Sequence, residues 1–132
     1  MSWDVVLVKE RFELENNNDY SPPYLGKRDE IIDALLKIFP NLDYTDESWG
    51  ILNEADFSIE FNTGNEEIVD SIMLHIRGGG NPLNVIKLII KEMNWEALDC
   101  STTEFIEIDE DNLESWTEFQ KYRDSVLKRN KD

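Results

Sequence analysis

Two segments of the chain carry their more polar side chains at every second position, a spacing that can gather chemically useful groups on one surface. Apolar residues alternate with them in FSIEFN and in IMLHIR, which is typical of strands that bury one face. If the two segments pair as neighbouring strands, these positions share one face of a sheet. The positions are Ser58, Glu60, Asn62, Met73, His75 and Arg77.

The polar sheet face predicted in this way could do chemistry or bind a partner. Glu60 and His75 could share a hydrogen bond, and Arg77 could orient a bound carboxylate. Such a cluster suits an acid-base site or an interface, whereas the simpler interpretation is a solvated face whose opposite charges pair across strands. We favour the simpler interpretation and assign no catalytic residue. The candidate ligand or partner face consists of Glu60, Asn62, His75 and Arg77.

Three consecutive glycines follow this segment in HIRGGGNP. The backbone N–H groups of Gly78, Gly79 and Gly80 could hold an anion at the start of a helix, with Arg77 adding charge. Glycine also permits a sharp turn with positive φ, and the spacing matches neither the dinucleotide-binding fingerprint nor the phosphate-binding P-loop. The turn is therefore predicted to be structural, with anion binding as the alternative.

Other reactive side chains give weaker signals. Cys100 could act with His75, but nothing in the sequence brings the two together, and a lone cysteine that ends a strand is more often a small buried residue. Asp43, Asp46 and Glu47 lack the ligand spacing and the glycine of a calcium loop, so turn formation and capping account for them better. We expect no metal site and no cofactor.

Hydrophobic periodicity predicts the elements that must position these groups. The segment Trp3 to Lys9 is short, β-branched and apolar on both faces, as in an interior strand. Apolar residues at helical spacing predict one helix from Lys27 to Pro40. They predict a second helix after Asn81, its expected N-cap, and Pro82, its expected first residue. A last helix is expected from about Asp111.

The remaining segments have the patterns of strands. Two or three antiparallel strands are expected between Trp49 and Arg77, with Trp49 in the core, and another is expected at Trp95 to Cys100. The 132 residues are predicted to form a single α+β domain, residues 1–132. Its expected architecture is a mostly antiparallel sheet of four to five strands with helices packed on it, in the order β-α-β-β-β-α-β-α.

The charge of the chain is strongly and unevenly acidic. The 29 acidic and 13 basic residues give a net charge of -16, and no lysine or arginine lies between Lys37 and Arg77 or from Asp99 to Glu118. Such a surface repels nucleic acid and anionic lipid, because binding to either depends on basic side chains. We therefore predict no nucleic-acid partner and no membrane partner, whereas a basic protein would be attracted. The alternative is acidity that only maintains solubility.

The cellular location is predicted from two further features. Cys100 is the only cysteine, which excludes an intrachain disulfide and suits a reducing compartment. The N-terminal segment carries Asp4 and has too short an apolar run for a signal peptide, and no segment approaches the roughly 20 apolar residues of a membrane span. These features predict a cytoplasmic protein.

The segments DESWGILN, FSIEFNTG, DSIMLHIRGGG and ALDCSTTEF resemble those of a family of small, uncharacterised bacterial proteins. The resemblance covers most of the chain, from Trp3 through Tyr122. Because no activity is assigned to that family, the resemblance implies no catalytic or binding residue. In composition and architecture the chain is also similar to immunity proteins that neutralise toxins.

Together these features favour a non-enzymatic, acidic protein-binding module, immunity-like, that blocks a basic partner. The absence of a recognised catalytic constellation in the sequence argues against an enzyme without deciding the question. The alternative is a small-ligand-binding domain or a small enzyme that uses the polar sheet face and the glycine turn. A homodimer that buries the polar sheet face is a third option.

Overall fold

A computed structural model of the chain describes residues 2–12 and 23–107. The last helix, predicted from about Asp111, lies outside them. Among the described residues, no helix has the length and apolar character needed to cross a membrane. The described elements are β1 (Trp3–Val8), β2 (Gly26–Lys27), α1 (Arg28–Ile38), β3 (Asp43–Asp46), β4 (Trp49–Asn53), β5 (Phe57–Asn62), β6 (Ile68–Val69), β7 (Ile72–Gly78), α2 (Leu83–Met93), β8 (Glu96–Asp99) and β9 (Glu104–Phe105).

Seven of these strands form one antiparallel sheet in the order β3-β4-β5-β7-β1-β8-β9, and β2 pairs with β6 in a small second sheet. The predicted α+β class with a mostly antiparallel sheet is confirmed, but the predicted number of four to five strands is wrong. The edge strand β3 was missed because it is short and polar, DYTD; at the other edge, where an extension of the last strand was expected from Phe105 to Ile108, the chain forms the two-residue strand β9. Each forms one arm of a hairpin, β3 with β4 and β9 with β8. The observed order of elements also differs from the predicted one.

The alternation in β5 and β7 decides which sheet face becomes the core. Their register places Ile59 opposite Ile76 and Phe61 opposite Leu74, and all four side chains are fully buried. Buried residues of α1 and α2 belong to the same cluster, so both helices cover this face. Burying each large apolar side chain contributes roughly 1.5–3 kcal/mol. The opposite face of the sheet remains for polar groups.

Strand β1 lies inside the sheet, between β7 and β8. Only one of its two faces is covered by other parts of the protein. Trp3, Val5 and Leu7 are buried, whereas Asp4 and Val6 are partly exposed on the other face. The prediction of a strand covered on each side was therefore wrong. Valine fits a half-exposed pleated surface as well as a core, so its presence did not distinguish the two environments.

The two helices have the predicted positions, and their ends have clear local causes. Helix α1 ends at Ile38, shortly before Pro40, since proline cannot continue a helix. Helix α2 has Pro82 rather than Asn81 at its N-cap, and no side chain caps it. Pro82 already has helical φ and ψ, and its carbonyl accepts the N–H groups of Val85 and Ile86 at 3.0 and 3.2 Å. The predicted N-cap was thus wrong by one residue.

Candidate functional site

The four residues of the candidate ligand or partner face lie together on the open face of the sheet. The register of β5 and β7 pairs Glu60 with His75 and Asn62 with Met73. Arg77 lies opposite Ser58, one step further along the face. The hairpin pairing thus brings the groups together in the arrangement that the alternating pattern predicts.

Their hydrogen bonds differ from the expected ones. Instead of sharing a bond with Glu60, the Nδ1 atom of His75 lies 2.9 Å from Oδ1 of Asp4, its neighbour across the β1–β7 pairing. Glu60 accepts from Nη1 of Arg77 at 2.8 Å. An ionised carboxylate can only accept, so the Asp4 contact places the imidazole proton on Nδ1. Sequence reasoning missed Asp4 because β1 was expected to lack a polar face.

Trp49 covers the other side of the histidine. Its ring stacks on His75 with the centroids 5.9 Å apart and an interplanar angle of 18°, although Trp49 belongs to β4 and its own partner in the register is Asn62. Trp49 is half-buried on the open face, so its predicted core position was wrong. The acidic, basic and aromatic groups of this face satisfy one another, which is the geometry of the simpler interpretation.

Cys100 approaches this face without the geometry of a nucleophile. Its backbone N–H donates to the carbonyl of Asp4 at 3.1 Å, so Asp4, which bonds the imidazole, lies next to both residues. Partial burial raises the pKa of the Cys100 thiol, and the carboxylates of Asp4 and Asp99 raise it further. A raised pKa keeps the thiol protonated and therefore weakly reactive.

The glycine turn packs against the loop between β4 and β5. Gly78 and Gly80 have φ values of 105° and 65°, and the N–H of Gly79 donates to the carbonyl of Asp56 at 2.6 Å. A Cβ atom at Gly78 would lie 2.5 Å from that carbonyl oxygen, and one at Gly80 would lie 2.8 Å from Cβ of Asp56. Close approach and positive φ explain these glycines. The neighbouring Asp56 carboxylate also disfavours an anion.

A second region, which we call the acidic groove, lies between α1 and β3. It is an open depression of about 790 Å³, and among the residues that line it are four carboxylates and no lysine, arginine or histidine. Its lining consists of Asp29, Ile32, Asp33, Leu36, Pro40, Asn41, Leu42, Asp43, Tyr44, Thr45 and Glu47.

Helix α1 supplies one wall of the acidic groove. Asp29 and Asp33 are four residues apart, as are Ile32 and Leu36, so each pair forms a row along one side of the helix. The carboxylates are exposed, whereas Ile32 is buried and Leu36 is half-buried. This wall is therefore charged at its rim and apolar at its base. The spacing in RDEIIDALLKI was the sequence signal for the wall, but the groove needs β3, which the sequence did not predict.

Tyr44 of β3 forms the opposite wall. Its hydroxyl group shares a hydrogen bond of 2.7 Å with Thr63, and burial raises the pKa of Tyr44 to about 12. The ring lies directly over Gly50 of β4, where a Cβ atom would come within 2.5 Å of it. The glycine therefore allows the ring to pack flat on the sheet. It also packs edge-on to Phe61 at 6.4 Å.

Two arginines pair with three other carboxylates. Arg11 bonds Glu96 at 3.0 Å and Glu107 at 2.6 Å; these bonds raise the pKa of Arg11 and lower the pKa of Glu107. Arg28 lies 3.6 Å from Glu47, at the edge of the acidic groove. Both acidic tracts of the sequence therefore meet arginines from other parts of the fold.

Three carboxylates of the acidic groove have no such neutralisation. Within the described part of the chain, no lysine or arginine lies within ion-pair distance of Asp29, Asp33 or Asp43. Asp43 accepts the N–H and the hydroxyl of Thr45 at 2.8 and 2.6 Å, which lowers the pKa of Asp43. Hydrogen bonds of this kind favour the ionised form, so Asp43 keeps its negative charge at neutral pH.

The described residues contain no group of three or more histidine, cysteine, aspartate or glutamate side chains arranged to hold a metal ion. Comparisons with protein-family models, with curated proteins and with solved structures gave no match. The suspected bacterial family therefore stays a prediction, and the function has to be argued from the geometry of this chain alone.

Proposed function

We propose that this protein is a non-enzymatic, acidic binding module whose partner is a basic protein. The observation that carries the proposal is the cluster of Asp29, Asp33 and Asp43 around the apolar base of the acidic groove, with no lysine or arginine of the described residues within ion-pair distance of these three. Elsewhere on the described surface, arginines pair with Glu60, Glu96 and Glu107. A concentrated negative field attracts a cationic surface and accelerates encounter with it.

The same charge separates the proposed partner from other macromolecules. Nucleic acids and anionic membranes need lysine and arginine on the protein that binds them, and the chain carries a net charge of -16. A second copy of the chain carries the same net charge of -16, so long-range repulsion opposes self-association. A basic protein is the partner class for which the field is favourable.

The proposed action is to block the partner, as an immunity protein blocks a toxin. An enzyme that acts on a polyanion has a basic active surface, and an acidic module that occupies this surface excludes the substrate. Cys100 is exposed and free of any disulfide, which suits a reducing compartment such as the cytoplasm. The similarity in composition and architecture to immunity proteins agrees with this action.

The experiment is a binding assay with immobilised protein at low ionic strength, about 0.05 M, where charges act over more than about 10 Å. The bait is exposed to lysate of a bacterium, and retained proteins are eluted by a salt gradient and identified. The proposal expects a small set of basic proteins that release as salt rises, and inhibition of any retained enzyme by the free module. Retention of no basic protein would reject the proposal.

A further inference from the structure

We propose that the acidic groove is the docking site and that its occupant is a cationic amphipathic α-helix of the partner. This inference rests on the proposed function and makes it specific, since it names the surface and the secondary structure of the partner. It follows from three properties of the groove: its shape, its distribution of charge, and the irregular backbone of β3, which makes the addition of another strand unfavourable.

The groove is built for side chains rather than for an added strand. Edge strands commonly bind partners by extending the sheet, but the N–H of Thr45 in β3 is already bonded to the carboxylate of Asp43 at 2.8 Å. The register of β3 also shifts between Asp43 and Asp46. An added strand would therefore find an irregular edge with one of its donors occupied.

A helix matches the dimensions and chemistry of the groove. Helix α1 has 11 residues and is thus about 16 Å long, so an antiparallel or parallel partner helix can contact it over three turns. The base offers Leu36, half-buried, beside the exposed Pro40. The rims carry carboxylates on both sides, Asp29 and Asp33 on α1 and Asp43 on β3. An amphipathic helix presents apolar residues between flanking lysines or arginines, which is the complementary pattern.

The occupant is selected by charge. Helix α1 of a second copy of this chain would bring acids to the rim, because it carries Asp29, Glu30 and Asp33 on exposed positions. An apolar helix without lysine or arginine would leave the three carboxylates unpaired. Because such a helix would also remove water from them, its binding would cost free energy. A cationic helix is the occupant that the rim favours.

The test uses synthetic peptides of about 14 residues, titrated into the full-length protein and followed by calorimetry or by fluorescence polarisation. The first peptide contains leucine and lysine, with leucines at helical spacing. The second has the same composition in an order without helical periodicity, and the third has glutamate in place of lysine. We expect the first peptide to bind about tenfold more tightly than the second, and the third not to bind.

Two triple variants with the same change in net charge locate the site. The groove variant is Asp29→Asn, Asp33→Asn and Asp43→Asn, and the control variant is Glu66→Gln, Asp70→Asn and Glu92→Gln, all exposed acids outside the groove lining. If each exposed charge pair contributes a factor of about two, the groove variant weakens the first peptide by about tenfold. The control variant weakens it by twofold or less.

A further variant tests the apolar base of the groove. The substitution Leu36→Gln introduces a residue with a similar helix propensity and a side chain of similar length, but it removes apolar surface. The first peptide is expected to bind about threefold more weakly to it, and the second peptide to bind unchanged. Thermal unfolding of every variant checks that the fold is intact; if a triple variant unfolds, the single pair Asp33→Asn and Glu92→Gln replaces it.

The outcomes separate this inference from the proposed function. Equal weakening by both triple variants, or equal binding of the first two peptides, would reject helix docking in the groove while an acidic module that binds basic proteins remains. Basic proteins retained on the module with no binding of any peptide would also reject only the helix. If neither basic proteins nor cationic peptides bind at low salt, both ideas fail.

Discussion

The polar sheet face and the acidic groove both expose carboxylates, yet they treat the charge in opposite ways. On the polar sheet face, Glu60 bonds Arg77 and Asp4 bonds His75. In the acidic groove, Asp33 and Asp43 face solvent without a cation in the described part of the chain. In the first region each of these carboxylates bonds a nitrogen-bearing side chain of a neighbouring strand, whereas in the second region they have no cation within ion-pair distance.

This difference separates structural charge from charge that can serve binding. A paired surface charge contributes little to stability but asks for no further partner. An unpaired cluster of like charges slightly destabilises the fold, and proteins commonly retain such destabilising groups where function needs them. The predictions below ask whether the two regions differ in this sense.

The largest effect is expected in the glycine turn beside the polar sheet face. Gly78→Ala should destabilise the protein by about 3 kcal/mol, because its Cβ would clash with Asp56 and its φ is 105°. Gly64→Ala is the matched control: its φ is also positive, 84°, but its Cβ would meet nothing within 4 Å, so it should cost about 1 kcal/mol. Urea unfolding measures both. A turn that served ligand binding alone would show equal costs for the two variants.

The next effect concerns the buried wall of the acidic groove. Because the pKa of Tyr44 is raised to about 12, above the ordinary value of about 10, the folded state holds the phenol proton more tightly than the unfolded state. Its contribution to stability is complete below about pH 10 and is lost as pH rises towards 12, by about 2 kcal/mol in all. Tyr44→Phe should remove this loss in urea unfolding at rising pH. An identical pH dependence in both proteins would show that the wall is not packed as described.

A smaller effect compares the two kinds of carboxylate directly. Glu60→Gln breaks the ion pair with Arg77 and should lower the free energy of unfolding by about 0.5 kcal/mol, since both groups are partly exposed. Asp33→Asn removes like-charge repulsion in the groove and should leave the free energy unchanged or raise it by about 0.5 kcal/mol. Chemical denaturation in low salt measures the pair. Destabilisation of similar size in both would erase the distinction between the regions.

The smallest effect concerns the thiol at the border of the polar sheet face. Burial and two carboxylates raise the pKa of Cys100, so iodoacetamide should alkylate it more slowly than free cysteine at neutral pH. Asp4→Asn removes one of these charges and should accelerate alkylation by a factor of about two, with Glu54→Gln as a control remote from the thiol. A rate faster than that of free cysteine would point to an activated nucleophile and revive the enzyme alternative.

The polar sheet face could be predicted because strand alternation is a local property. The two-residue period in β5 and β7 assigns every side chain to a face, and burial of Ile59 and Ile76 then forces the register. Hydrogen-bond partners could not be predicted in the same way. They depend on which strand lies on the other side of His75, and that strand, β1, is separated from it by about seventy residues.

The acidic groove could not be predicted because only one of its two walls, helix α1, has a clear pattern in the sequence. The helical spacing of Asp29 and Asp33 could be read from the sequence, but β3 is only four residues long and two of them are aspartates, which are depleted in strands. It lies at the edge of the sheet, where it pairs only with β4 across a short turn. The tract without basic residues likewise gave no hint of Arg28, which comes before that tract and pairs with Glu47.

The most direct test measures the dissociation constant of the cationic amphipathic peptide for two variants. One is the groove triple, Asp29→Asn, Asp33→Asn and Asp43→Asn, and the other is the sheet-face pair, Asp4→Asn and Glu60→Gln. The account predicts about tenfold weaker binding to the first and less than about twofold weaker binding to the second. Equal weakening, or a larger loss for the sheet-face pair, would contradict the assignment of the free negative charge to the groove.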